Sequence, residues 1–344
     1  MKILVAPLDW GLGHATRCIP IISELIRQGH EVIIAADGKA GDLLKQEFPD
    51  TPGVFLRGYR IKYSSFLPMS LTMILQAPKI LTGIFVEHQQ LKNLIKKHAI
   101  EKVISDNRFG LWNKMVHSIF ITHQLMIKCP KWLRFFEPIL HNINKLFISK
   151  FDECWIPDDE KIISGELSHR YPLPANAKFI GLLSRWSQSQ FISSKKEYDL
   201  VAIVSGPEPH RSSFEAMLIA KLSSQPLNSL IIQGKPGIPV WKKINPRLAV
   251  VSHLKNKALL DIISSADFVI CRAGYSSIMD LVSIQKDAIL IPTPGQTEQL
   301  YLAEYLSERK VFFSVQQNLF SPENAIRESK NYSVKNLVEE NVNL

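Results

Sequence analysis

Residues 264–303 read SSADFVICRAGYSSIMDLVSIQKDAILIPTPGQTEQLYLA, and this stretch decides the fold. Its apolar run 268–271 is typical of a parallel strand that is covered on both faces. The run breaks at Arg272–Gly274, and apolar positions spaced for one buried helix face follow from Ser276 onward. A second apolar run, 288–291, ends at a PTPG turn. This order predicts a βαβ unit with an anion-binding helix N-terminus beside its strand ends. An ordinary unit without a ligand is the alternative.

A second βαβ opening stands at the amino terminus. Its predicted parts are a strand over 2–7, the loop DWGLGH over 9–14, a helix over 15–28 and a strand over 31–35. The loop has a GxG pair, but Thr16 stands where the dinucleotide fingerprint has a third glycine. Asp37 follows the second strand, where a dehydrogenase holds its ribose, so an NAD enzyme stays open as an alternative.

His14 is the residue of this loop with the most chemical content. It stands where the helix begins, and the positive end of a helix favours a neutral imidazole that accepts protons. The alternative is a packing histidine. Arg17, one turn into the helix, is either a ligand-binding or a solvated arginine. Polar residues also follow later strands of this half, namely Asp106 and His123, and they are candidates because ligands gather at such strand ends.

Size and composition narrow the class of protein. A chain of 344 residues can bury two cores, and its 46% apolar and 21% charged residues are globular values. The four cysteines (Cys18, Cys129, Cys154 and Cys271) form no CxxC pair, which argues against a zinc site and favours a reducing cytosol. The first residues are expected to be a strand and no signal peptide, and no apolar run suits a spanning helix.

The net charge of +9 is concentrated in part of the first half. Between Arg57 and Lys102, eight Lys and Arg residues stand against two acids, a local charge of +6. Apolar residues are interleaved, especially over 63–85, which suits peripheral contact with an anionic membrane. Buried helices with a solvated lysine face are the alternative. Nucleic acid is not expected as a partner, because no nucleic-acid-binding signature accompanies the charge.

The pattern R-A-G-Y-S-S-x-x-D, an apolar strand, P-x-P and E-Q resembles the donor site of GT-B glycosyltransferases. Within them it is most similar to glycosyltransferase family 28, which includes the lipid-linked N-acetylglucosamine transferase of peptidoglycan synthesis. The loop G-L-G-H-A-T-R-C is also similar to that of the UDP-sugar hydrolase of pseudaminic acid synthesis. The resemblance implies an α/β fold of two Rossmann-like domains that face a central cleft, with the acceptor on the first and the nucleotide sugar on the second.

The resemblance also assigns residues. In such enzymes the glycine turn and helix start hold the nucleotide diphosphate, an acid takes the ribose hydroxyls, and a polar pair takes the sugar hydroxyls. The loop after strand 199–204 has two prolines, which remove backbone N–H donors. The phosphate is therefore expected to be bound there by the Ser205 hydroxyl and by Arg211. The catalytic candidates are His14, as general base, and Asp106. The substrate-binding candidates are Gly11, Gly13, Arg17, His123, Arg185, Ser205, Arg211, His253, Leu254, Arg272, Gly274, Tyr275, Ser276, Ser277, Asp280, Glu298 and Gln299.

These observations predict three regions: an acceptor-side domain over 1–175, a donor-binding domain over 176–320, and a tail over 321–344 that packs back on the first domain. The expected activity is transfer of a hexose or N-acetylhexosamine from a UDP-sugar to a lipid or glycan acceptor, with inversion. No DxD motif is present, so neither a metal nor a cofactor beyond the UDP-sugar is expected. A UDP-sugar hydrolase and a non-catalytic nucleotide-binding protein are the alternatives.

Overall fold

The computed structural model describes residues 1–59, 61, 69–159, 163–186 and 196–339. They form two compact units, Met1–Leu183 and Ser184–Leu344. Each unit contains one seven-stranded sheet and the helices that pack on it. The predicted α/β class with two Rossmann-like domains is therefore confirmed.

The first unit is built on an entirely parallel sheet. Its strands are β1 (Lys2–Pro7), β2 (Glu31–Ala36), β3 (Gly53–Phe55), β4 (Lys102–Asp106), β5 (His117–Ile121), β6 (Glu153–Ile156) and β7 (Ala177–Phe179). Its helices are α1 (Leu12–Arg27), α2 (Gly38–Glu47), α3 (Met69–His98), a 3₁₀ helix (Lys131–Phe136), α4 (Glu137–Ile148) and α5 (Glu166–His169). Strand β1 is buried on both faces from Ile3 to Ala6, which is why its sequence is continuously apolar.

The strand order of this sheet is β3-β2-β1-β4-β5-β6-β7. The chain leaves β1 in one direction and later returns to β4 on its other side, so the order reverses between these two strands. Pro7 and Asp106 pair at the carboxyl ends of β1 and β4. In open α/β sheets, ligands bind outside the carboxyl ends of the strands at such a reversal. The loop that leads into helix α1 and His14 begins there.

The second unit repeats the plan. Its strands are β8 (Leu200–Ile203), β9 (Ser229–Ile232), β10 (Trp241–Asn245), β11 (Leu248–Val251), β12 (Phe268–Cys271), β13 (Ile289–Leu290) and β14 (Phe313–Ser314). Its helices are α6 (His210–Leu222), α7 (Asn256–Ser265), α8 (Tyr275–Ser283), α9 (Thr297–Glu308), a 3₁₀ helix (Gln317–Leu319), α10 (Pro322–Ser329) and α11 (Asn336–Glu339). The order β10-β11-β9-β8-β12-β13-β14 reverses between β8 and β12, and only the β10–β11 pair is antiparallel.

The structure bears on two of the predicted regions. The second domain was expected from residue 176, but β7 pairs in parallel with β6 and belongs to the first sheet. The tail from 321 was expected on the first domain. Its described residues contact the second unit: Ala325 joins that core, and the backbone N–H of Val334 donates to Asp287 at 2.8 Å. Packing of the tail on the first domain stays a prediction. A short amphipathic segment shows that it buries a face, but its sequence does not say against which domain.

Candidate active site

Four predicted residues of the first unit, namely His14, Arg17, Asp106 and His123, lie together at the reversal between β1 and β4. Helix α1 begins three residues before the predicted start, so His14 lies in its first turn and Arg17 in its second. Gly11 precedes the helix with a φ of 106°, a left-handed conformation that favours glycine. Gly13 lies in the first turn and its carbonyl accepts a hydrogen bond from Thr16 Oγ1 at 3.0 Å.

Arg17 is the centre of this cluster. Its Nε donates to Asp106 Oδ2 at 2.7 Å, and its Nη2 bonds the other carboxylate oxygen, Oδ1. Its Nη1 lies 3.1 Å from Nδ1 of His123. Arg17, Asp106 and His123 are all buried, whereas the His14 side chain keeps 16% of its surface exposed. The ion pair is therefore a fixed internal support, and His14 is the member that solvent or a substrate can reach.

Asp106 stays ionised in this setting. Burial raises the pKa of its carboxyl, but the charge of Arg17 and the contacts with His14 outweigh burial and lower the pKa to about 2. Beside it, burial raises the pKa of the Cys18 thiol, which lies 3.8 Å from Asp106 Oδ2. The cluster thus holds one permanent anion and one permanent cation below the imidazole.

Nδ1 of His14 has one neighbour that can only donate a hydrogen bond and one that can only accept. Arg17 Nη2 lies 2.8 Å away and can only donate, whereas Asp106 Oδ1 lies 3.2 Å away and can only accept. Nε2 of His14 makes no hydrogen bond to the described residues. When Nδ1 carries the proton and donates to Asp106, Nε2 has a free lone pair and can accept a proton.

In the second unit, Gly274 stands directly before helix α8, at the carboxyl end of β12. Its φ of −82° is open to any residue, and a Cβ built on it would meet nothing within 4 Å. Neither backbone conformation nor packing against the described chain explains a glycine here. The first N–H groups of a helix have no partner within the helix, and Ser276 and Ser277 are half-buried beside them. The side chain of Tyr275 is buried, so only its backbone faces the turn.

Asp280 lies one turn and a half into α8 and is buried. Its Oδ1 accepts from Ser184 Oγ at 2.9 Å, and its Oδ2 accepts from Arg185 Nε at 3.0 Å. Burial raises the pKa of the Asp280 carboxyl, and the Arg185 charge opposes this effect. Arg185 also stacks on Trp186, whose indole Nε1 donates to Asn256 at 2.7 Å. Asp280 and Arg185 were predicted separately, and the structure joins them.

Two predicted arginines have internal partners. Arg272 is buried; its guanidinium donates to the carbonyls of Ile291 and Pro292 and lies 3.8 Å from the ring of Phe214. Arg211 is buried too, with Glu208 at 2.6 Å and Glu215 at 2.7 Å. Both side chains therefore brace the loops after β12 and β8.

The remaining predicted residues lie at the carboxyl-end edge of the second sheet. Ser205 follows β8 and is half-buried, and His253 and Leu254 follow β11 and are buried. Burial and the charge of Arg185 lower the pKa of His253. Glu298 and Gln299 open α9, where Gln299 Oε1 accepts from the backbone N–H of Thr293 at 2.8 Å. Gln299 thereby holds the PTPG turn, and Glu298 is half-buried beside it.

Several partners were missed by sequence reasoning. Ser184, Gln317 and Cys18 contact predicted site residues across long sequence separations, for which the chain carries no local signal. One partner did have a signal: Glu215 stands four residues after Arg211, a spacing that pairs side chains on a helix.

The predicted membrane segment is only partly described. Residues 62–68 lie outside the described residues. Helix α3 buries Glu87, Leu91 and Ile95 against the first unit, but these residues lie beyond the segment. Within the segment, Leu75, Leu81 and Phe85 are exposed. No helix among the described residues is long and apolar enough to cross a membrane. The described residues also contain no group of three or more His, Cys, Asp or Glu side chains that could hold a metal ion.

Comparison with known protein families matches both halves of the chain to glycosyltransferases. Residues 241–340 match the glycosyltransferase family 28 C-terminal domain, and residues 1–125 match glycosyl transferase family 1. An uncharacterized glycosyltransferase of Methanosarcina mazei is 25% identical over 333 residues, which cover 90% of this chain and 84% of the relative.

Two further proteins align along nearly the whole chain. The UDP-N-acetylglucosamine–N-acetylmuramyl-(pentapeptide) pyrophosphoryl-undecaprenol N-acetylglucosamine transferase of Rickettsia felis is 24% identical, covering 94% of this chain and 88% of that protein. The crystal structure of the glycotransferase of kitacinnamycin superposes with a TM-score of 0.64 at 14% identity, covering 98% of this chain and 92% of the other. The described geometry and these matches together identify the chain as a sugar-transferring enzyme of the GT-B fold that resembles glycosyltransferase family 28.

Proposed function

We propose that the enzyme transfers a hexose or N-acetylhexosamine from a UDP-sugar to a lipid-linked or glycan acceptor, with inversion at the anomeric carbon. The second unit holds the donor and the first unit holds the acceptor. The resemblance in pattern to family 28 and the similarity to the Rickettsia felis transferase support this proposal over a hydrolase or a non-catalytic binding protein.

The main support for this placement of the donor is the open space beside Gly274. A glycine that neither its φ nor its neighbours demand leaves space for close approach of a ligand to the backbone. That space lies at the N-terminus of α8 and at the strand reversal between β8 and β12. The positive helix end favours a diphosphate there, and the Ser276 and Ser277 hydroxyls stand beside it. Asp280 and Arg185 would then lie within reach of the ribose.

The transfer step needs a base and a stabilised leaving group. His14 Nε2 takes the proton of the acceptor hydroxyl, and the acceptor oxygen forms a bond to the anomeric carbon. The bond from that carbon to the diphosphate oxygen breaks on the opposite face, and UDP leaves with the electron pair. Asp106 stabilises the imidazolium through Nδ1–H, while helix α8 and Arg185 stabilise the charge that grows on the diphosphate. No step requires a metal ion or a further cofactor.

Gly274→Ala tests the donor site. The added methyl group would occupy the space assigned to the diphosphate, so the UDP dissociation constant is expected to rise roughly tenfold or more by calorimetry. Stability should change by no more than about 0.5 kcal/mol, because the methyl group meets no atom of the described chain. Gly41→Ala, in α2 of the first unit, is the matched control. Unchanged UDP affinity in Gly274→Ala would remove the diphosphate from this turn.

Asp280→Ala separates a ribose contact from a positioning role. Wild type and variant are each titrated with UDP and with 2′-deoxy-UDP. If Asp280 binds the ribose, wild type loses affinity for the deoxy ligand, and the variant binds both ligands equally, about tenfold or more weaker than wild type binds UDP. If Asp280 only orients Arg185, the variant still prefers UDP by the same factor as wild type, and the ribose assignment fails. Thymidine diphosphate in place of UDP tests the choice of base.

A further inference from the structure

Helix α4 buries mainly polar side chains and exposes apolar ones. Its buried residues are Glu137, His141, Asn144 and Ile148, of which the first three are polar. Glu137 accepts a hydrogen bond from the backbone N–H of Cys129 at 3.0 Å. His141 Nδ1 lies 3.0 Å from the carbonyl oxygen of Leu125, and Asn144 Nδ2 donates to the same oxygen at 3.1 Å. These bonds fix the rotation of the helix about its axis, so it cannot roll to bury its other side without breaking them.

The outward stripe is apolar. The 3₁₀ helix and α4 together expose Trp132 (66%), Phe135 (69%), Ile139 (53%), Ile143 (45%) and Leu146 (67%). Their spacing of three or four residues places them on one side of the helical segment. With Ile127 and Phe136 they make up seven of the 21 large apolar side chains that are exposed in the described part of the chain. Such a concentration marks a docking surface, whereas single exposed apolar residues do not.

The charges that flank this stripe have one sign. Lys131, Arg134, Lys145 and Lys150 are exposed. The only acid between residues 127 and 150 is Glu137, which is buried and faces inward. Cations beside exposed tryptophan and phenylalanine suit the headgroup zone of an anionic bilayer. A second copy of the chain would bring the same cations against these and would be repelled.

We propose that the α4 surface, meaning the exposed side chains of the 3₁₀ helix and α4, docks on an anionic lipid bilayer with α4 in the plane of the headgroups. This differs from the segment 63–85 to which the sequence pointed. The inference deepens the proposed function, because a lipid-linked acceptor would lie in that same bilayer. It commits to a lipid occupant; a protein partner, including a second copy, is an outcome of the test.

Vesicle co-sedimentation of the full chain, with no donor or acceptor present, tests the proposal. Wild type is expected on phosphatidylcholine vesicles that contain phosphatidylglycerol, with weaker binding as salt rises. Phe135→Ser/Ile139→Ser should lower partitioning roughly tenfold or more. Lys131→Gln/Arg134→Gln should lower it mainly at low salt. Ile238→Ser/Trp241→Ser, an exposed apolar pair of the second unit, is the matched control and should bind as wild type does.

The proposal is overturned by unchanged binding in Phe135→Ser/Ile139→Ser, or by an equal loss in the control pair. A loss confined to Leu81→Ser/Phe85→Ser would move the contact to α3. Sedimentation velocity without vesicles tests self-association: a concentration-dependent dimer that Phe135→Ser/Ile139→Ser abolishes would also overturn the proposal. All substituted positions are exposed, so unchanged circular dichroism and melting are expected. Because no turnover is measured, failure of the proposed reaction leaves this result intact.

Discussion

At the scale of single residues, the first unit contains a histidine whose environment is set by a buried ion pair. Arg17 and Asp106 are locked together, so neither is free to leave when a substrate binds. Both touch Nδ1 of His14, and the proton on that nitrogen decides which of the two contacts is favourable. His14 is thus the residue at which catalysis and mere support can be separated by experiment.

His14→Ala is expected to lower turnover at least about a hundredfold while UDP affinity and fold are kept, because a general base contributes roughly 10²–10⁴ to rate. Steady-state release of UDP and calorimetry measure the two quantities. His117→Ala, at the opposite end of the same sheet, is the control and should turn over normally. Normal turnover in His14→Ala would make His14 a packing residue. A proportionate loss of UDP binding would place the first loop in the donor site.

Because Asp106 is ionised in the folded chain, the free energy of unfolding is expected to fall at acid pH. Its pKa is about 2 in the folded chain, below the unfolded value of about 3.9. Its contribution, on the order of 2 kcal/mol, is therefore complete above about pH 4 and is lost as the pH falls towards 2. Asp106→Asn leaves Arg17 buried without its anion, which should cost about 3–5 kcal/mol at neutral pH.

Urea unfolding between pH 2 and 7, monitored for wild type and Asp106→Asn, checks this expectation. The free energy of unfolding of wild type should fall more steeply below about pH 4 than that of the variant. Asp152→Asn, in the same unit, serves as the exposed control. Parallel curves for wild type and Asp106→Asn would show that Asp106 does not titrate between the two states as argued.

At the scale of elements, some side chains that were predicted to bind the substrate instead hold the loops after parallel strands in place. Arg272 is the clearest case, since one guanidinium joins the end of β13, the start of α6 and Gln317. Burial lowers its pKa to about 9, so it keeps its charge at neutral pH. Its position beside the glycine turn makes it a brace for the donor loop.

Arg272→Ala is expected to lower the free energy of unfolding by about 3 kcal/mol or more, because it leaves several buried carbonyls without donors. For a unit of this size the melting temperature should fall by roughly 6–12 °C. Differential scanning calorimetry measures this fall, and Lys242→Ala on an exposed edge strand is the control. A normal melting temperature with weakened UDP binding would return Arg272 to the donor site.

At the scale of the whole molecule, the proposal that the donor binds the second unit and the acceptor the first predicts which residues UDP protects from hydrogen exchange. UDP should slow amide hydrogen exchange in residues 272–277 and 292–299, and leave residues 8–17 and 105–108 unchanged. The physical reason is that the donor turn and the PTPG turn belong to the second unit, whereas His14 and Asp106 belong to the first. Exchange monitored by mass spectrometry, with ADP as the control nucleotide, measures this pattern. Protection centred on residues 8–17 would reverse the assignment of the two units.

The sequence by itself determined the fold class and the place of the glycine turns. Apolar runs, helical spacing and turn residues are local signals, so they can be recognised without knowing which strands become neighbours. That is why the βαβ order, His14 at a helix start and Gly274 before α8 could all be predicted. The same signals placed helix α1 and strands β8, β12 and β13 within a few residues of their observed positions.

Only the tertiary structure decided which side chains meet. Arg17 and Asp106 stand 89 residues apart and touch because β1 and β4 are neighbours in the sheet. Arg272 is a brace because loops remote in sequence fold around it, whereas the acidic partners of Arg211 are its neighbours along the chain. The apolar stripe of α4 faces outward because Leu125 accepts hydrogen bonds from two polar side chains on its other side. The free energy of such contacts depends on strand order and burial, which local composition does not specify.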